Sequence, residues 1–125
     1  MYDIVGLIQS FTQSPNHNAQ SYQQLASNID ELSKTNNINR SYMEYSPLDH
    51  AAMAGDIKLV SMLLSKNATV DGWDPIRKTP LWIAASKGHV NVVILLICNG
   101  AKINWQNLYG ITPLWIAAFN GHAAV

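Results

Sequence analysis

Charge is scarce in this 125-residue chain: Asp, Glu, Lys and Arg together make up 13% of it, about half the share usual in a soluble domain. Acidic and basic residues balance at 8 each, and no basic cluster is longer than Arg77-Lys78. The chain therefore lacks the basic face that grips a phosphate backbone, and nucleic acid is not an expected partner. Cysteine is nearly absent. With Cys98 alone no internal disulfide forms, and a reducing compartment such as the cytoplasm fits best, with delivery into another cell left open. The opening MYDIVGLIQSF has no positive lead and carries Asp3, so it does not read as a signal peptide. The longest apolar run, Val90 to Cys98, is about half the roughly 20 residues of a spanning helix and reads as a buried one.

What the chain does have is repetition. TPLWIAASKGH begins at Thr79 and TPLWIAAFNGH at Thr112, and SPLDHAAMAGD stands at Ser46, so three copies start 33 residues apart. Gly55, Gly88 and Gly121 fall at the same place in each. They are turn glycines at the period and not a phosphate-cradling loop. Ser or Thr before Pro is a helix start, because the hydroxyl caps free N–H groups and Pro suits the first helical position. Leu-x-x-Ala-Ala then gives a short helix whose small faces admit a close neighbour. After the glycine a second helix is expected, with Val92, Val93, Leu95 and Leu96 as the apolar set of the middle copy, ended by Gly100. A connector from Ile103 to Ile111 leads to the next start. The unit is helix–turn–helix plus an extended loop.

Residues 1–40 do not keep the period. Ile4, Val5, Leu7, Ile8 and Phe11 suit one short amphipathic helix; Tyr22, Leu25, Ile29 and Leu32 suit a second. This segment is read as an N-terminal helical cap or a degenerate first repeat, with an unrelated leader as the alternative.

These units resemble ankyrin repeats, whose 33-residue pattern opens T-P-L-H-x-A-A, turns at Gly-His and continues V-V-x-L-L-L-x-x-G-A. The middle copy carries Thr79, Pro80, Leu81, Ala84, Ala85, Gly88, His89, Val92, Val93, Leu95, Leu96, Gly100 and Ala101 of that pattern. The resemblance spans Ser41 to Val125. It implies an all-α solenoid of ankyrin type with short hairpin-like loops behind the N-terminal cap, divided as 1–40, 41–73, 74–106 and an incomplete copy at 107–125. Where the family usually has His after Thr-Pro-Leu, this chain has Asp49, Trp82 and Trp115. An indole donates only one hydrogen bond, so packing between repeats is the expected role of the two tryptophans. Ile94 and Cys98 occupy positions that the family gives to exposed polar residues.

The resemblance also implies where function lies. Loop tips and the outer side of each first helix line a concave surface in the family, and partners bind there. Carried over by position, that surface comprises Tyr42, Met43, Tyr45 and Met53 in the first copy. It continues with Trp73, Pro75, Ile76, Lys78, Ser86 and Lys87, then Gln106, Leu108, Tyr109, Ile111, Phe119 and Asn120. The set is more apolar than a solvated face requires, and Trp and Tyr are favoured interface anchors. His89 and His122 are equivalent repeat positions, which explains their spacing without a metal. Nothing in the pattern brings Cys98 to His50 as a nucleophile and base. The expected function is a non-enzymatic, cofactor-free protein-binding module. Two alternatives stay open, because GHAAV leaves the third copy without a second helix. The chain is then the targeting portion of a larger protein, an effector or adaptor with its activity beyond residue 125, or it self-associates through that end.

Overall fold

The computed structural model describes residues 4–13, 17–33, 45–72 and 78–125. Among these, seven helices and no β-strand form two layers. One layer stacks α1 (Ile4–Gln13), α3 (Pro47–Ala54), α5 (Pro80–Lys87) and α7 (Pro113–Phe119). The other stacks α2 (Ala19–Ser33), α4 (Ile57–Ser65) and α6 (Val90–Cys98). α1, α3 and α5 each pack against their successor in sequence, and against the next helix of the first layer.

The starts and stops follow from the repeated residues. Thr79 Oγ1 accepts the backbone N–H of Trp82 at 3.3 Å, and Thr112 Oγ1 that of Trp115 at 3.2 Å. Pro80 and Pro113 stand at the first helical position, where a missing N–H costs nothing. The first copy goes further. Ser46 Oγ accepts from Asp49 N at 3.1 Å, while Asp49 Oδ2 accepts from Ser46 N at 3.0 Å, a reciprocal capping box. Asp49, which departs from the pattern of the other copies, is thus a helix-capping residue. Gly55 and Gly88 end their helices in the left-handed region, at φ 73° and 75°, where a Cβ is strained.

The alanines do what their size allows. Ala51, Ala52, Ala84, Ala85 and Ala117 are buried between adjacent first-layer helices. The second layer supplies bulk: Leu59, Val60 and Leu63 of α4, and Val92, Val93 and Leu96 of α6, are all buried. Full burial of each such side chain is worth roughly 1.5–3 kcal/mol. At the N-terminal side Ile8, Leu25 and Ile29 join the same core, with α1 against α3 and α2 against α4. The first hairpin therefore continues both layers although its sequence has lost the period. Tyr22 of α2 donates its hydroxyl to Asp56 Oδ2 at 2.8 Å, and Lys66 pairs with Asp30.

Candidate functional site

Neighbouring copies are joined by the residues that recur. The imidazole of His89 lies over Gly55, and that of His122 over Gly88. In both cases a Cβ on the glycine would stand 2.6 Å from the ring Nδ1. His89 Nε2 is 3.1 Å from the Met53 carbonyl, and His122 Nε2 is 3.2 Å from that of Ser86. A carbonyl only accepts, so Nε2 carries the proton in each tie. Asn120 Nδ2 donates to the same Ser86 carbonyl at 2.9 Å. The histidines therefore serve as rungs between repeats. On the first copy the equivalent residue is Asp56, which caps α4 through Leu59 N at 3.1 Å and receives the Tyr22 hydroxyl. Desolvation by burial, then the bond to Asp56 and its charge, push the Tyr22 pKa up to about 12.

Trp82 makes the remaining tie. Its indole N–H donates to the Ile111 carbonyl at 3.1 Å, reaching the loop of the next copy. The single donor of the indole is thus spent on a polar link between repeats, in addition to packing. Trp115 does not repeat this arrangement. It is half exposed, its ring stacks on Phe119 at 5.1 Å and 9°, and its indole N–H has no acceptor among the described residues. The expectation of packing between repeats therefore fits Trp82 but not Trp115, for which the described residues hold no following loop.

The loop before α7 is organised by Asn107, buried although polar. Its Oδ1 accepts from Tyr109 N at 2.9 Å and Ile111 N at 3.1 Å. Asn107 N donates to Ile111 O at 3.1 Å, and Gly110 N to Asn107 O at 3.0 Å. These bonds close a tight turn at whose tip Leu108 and Tyr109 project outward, Tyr109 with 74% of its surface exposed. Asn107 was not among the expected site residues, because Asn in a turn signals a loop without saying which tip it holds.

Of the other expected site residues, Tyr42, Met43, Trp73, Pro75 and Ile76 lie outside the described residues. Tyr45 is half-buried, with its ring edge-on to His50 at 5.7 Å. Lys78 Nζ stands 3.3 Å from the Tyr45 hydroxyl and 5.4 Å and 5.7 Å from the ring centroids of Tyr45 and Trp82. Those three side chains form one cluster. Met53, Ser86 and Ile111 are half-buried and lend their carbonyls to the ties described above, while Lys87, Gln106, Leu108, Tyr109, Phe119 and Asn120 are exposed. The period sets these residues in three rows that cross the stack: Tyr45, Lys78 and Ile111; Asp49, Trp82 and Trp115; Met53, Ser86 and Phe119. Among the described residues, Leu108, Tyr109, Trp115 and Phe119 are exposed large apolar side chains. No helix among the described residues is long and apolar enough to cross a membrane.

Comparison with known families agrees with this architecture. A family model for ankyrin repeats in three copies matches residues 71–125, and a model for the single ankyrin repeat matches residues 43–74. The chain belongs to the ankyrin-repeat family. Such repeats are in general protein–protein interaction modules, and proteins built of them are typically non-enzymatic. No curated protein matches the chain.

Proposed function

We propose that the chain is a non-enzymatic protein-binding module that receives a partner segment on the side formed by the loop tips and first helices. The observation that carries this reading is the stacked pair Trp115–Phe119, with Phe119 73% exposed, beside a loop whose Asn107 holds Leu108 and Tyr109 outward. Large rings in water are unfavourable unless something covers them, and aromatic anchors dominate interface energetics. Because the loop is ordered by its own hydrogen bonds, little entropy is lost when a partner docks. By repeat position the same surface takes in Tyr45, Met53, Lys78, Lys87, Gln106, Ile111 and Asn120 in this reading, and Tyr42, Met43, Trp73 and Ile76 extend it in the sequence.

The test is capture of a partner by the wild-type chain, followed by titration of that purified partner against Tyr109→Ala/Phe119→Ala. Both residues are exposed, so unfolding midpoints should stay unchanged while affinity drops by about tenfold or more. Equal affinity for the double variant would refute the assignment of this strip.

A further inference from the structure

In the middle copy one ammonium is held by two aromatic rings. Lys78 Nζ stands 5.4 Å from the ring centroid of Tyr45 and 5.7 Å from that of Trp82, distances at which a ring face attracts a cation. The same nitrogen donates to the Tyr45 hydroxyl at 3.3 Å. Tyr45 lies one period before Lys78 and Ile111 one period after, and the indole N–H of Trp82 is tied to the Ile111 carbonyl. The cluster is thus set within the stack, with a residue of the first copy before it and one of the third behind it. A phenol that accepts from an ammonium still has its own O–H to give. No acceptor for that Tyr45 proton stands among the described residues. The adjacent ammonium polarises the phenol and makes its O–H a better donor.

We infer that Tyr45 and Lys78 recognise an acidic side chain, Asp or Glu, on the partner segment, whose carboxylate accepts from the phenol and the ammonium together. This rests on the reading of the loop tips and first helices as the docking side. Two donors lie side by side, one of them charged, and an ionised carboxylate accepts through two oxygens. The charge on this side is complementary to such a segment. Lys87, exposed at the end of α5, is a second cation there. The described aspartates are engaged elsewhere: Asp30 with Lys66, Asp49 buried on the Ser46 N–H, Asp56 capping α4 and Asp71 accepting from Lys102 N. One ammonium and one neutral hydroxyl match a singly charged group better than a phosphoryl group, which carries close to two charges. Because the rings already fix the ammonium, little of its freedom is lost when the carboxylate arrives.

The probe is a random peptide library displayed on phage and selected on the wild-type chain, the tightest peptide then being synthesised and titrated by fluorescence anisotropy. An Asp or Glu should recur at one position of the selected peptides. Replacing it by Asn or Gln should weaken binding about tenfold. Lys78→Gln and Tyr45→Phe should each weaken the acidic peptide by a similar factor and leave the amide peptide nearly unchanged, the signature of a direct pair in a double-mutant cycle. Tyr45→Phe keeps the ring beside Lys78, and circular dichroism verifies that both variants stay folded. Selected peptides with no recurring acid, or an acidic peptide indifferent to both substitutions, overturn the inference. The docking side itself is judged separately: it survives that result if Tyr109→Ala/Phe119→Ala abolishes binding of the selected peptide, and falls with it otherwise. A phosphoserine that binds about tenfold tighter than the acid it replaces assigns the pair to phosphate and overturns the carboxylate. A selection that returns no peptide overturns both readings.

Discussion

The indole N–H of Trp82 donates to the carbonyl of Ile111, 3.1 Å away, and so joins the first helix of the middle copy to the loop of the next. Trp82→Phe keeps the apolar ring and removes the donor. A net loss of about 1 kcal/mol is expected in urea unfolding, since a typical intramolecular hydrogen bond contributes about 0.5–1.5 kcal/mol. Trp115→Phe, at the equivalent but half-exposed position with no acceptor among the described residues, should cost much less. Equal costs for the two substitutions would show that ring size matters and the polar link does not.

A second pair separates backbone strain from contact. Gly121 and Gly88 both have positive φ, at 78° and 75°, but a Cβ meets nothing within 4 Å at Gly121 and the His122 ring at 2.6 Å at Gly88. Gly121→Ala should therefore show the left-handed penalty alone, about 1–2 kcal/mol. Gly88→Ala should exceed it, because the imidazole must move and give up the Ser86 carbonyl. In a His122→Ala background that surplus should vanish, which a double-mutant cycle reads directly.

Those two comparisons also show what was legible in the sequence. The stack was, because Thr-Pro, Ala-Ala and the glycines each act locally and recur at one period, so every copy confirmed the others. The difference between Trp82 and Trp115 was not. Thr79 to Ala85 and Thr112 to Ala118 are identical in sequence, and the acceptor that Trp82 uses, the Ile111 carbonyl, lies 29 residues on along the chain. Asp49 was similarly opaque, since its capping role depends on the Ser46 backbone N–H being free to bond it. For residues 1–40 the sequence admits a cap, a degenerate repeat or an unrelated leader. The packing of α1 and α2 rests on Ile8, Leu25 and Ile29, whose burial no period announces.

Tyr22 gives the N-terminal hairpin a pH signature. Its hydroxyl is pushed up to about 12 from the ordinary value of 10.0 by burial and by its bond to Asp56. The folded state therefore holds this proton more tightly than the unfolded chain does. The contribution to stability is fully present below pH 10 and is lost as pH rises toward 12. Tyr22→Phe should flatten that part of the stability profile relative to wild type, the lysines being common to both. Parallel profiles over this window would show that the bond does not couple folding to the proton.

The turn before α7 links stability to binding through one buried amide. Asn107→Ala leaves Tyr109 N and Ile111 N without their shared acceptor, and an orphaned buried donor costs about 1–3 kcal/mol. Asn107→Asp keeps an oxygen at the same place, since only Oδ1 receives these bonds, and should retain most of the order. Amide hydrogen exchange at Tyr109 and Ile111 should accelerate in the alanine variant and much less in the aspartate one. If Leu108 and Tyr109 serve as pre-ordered anchors, the alanine variant also loses partner affinity although neither contact residue has changed, because ordering the loop must then be done at docking. Faster exchange with undiminished affinity would separate the two roles: the loop would still be held by Asn107, but binding would not depend on its being held.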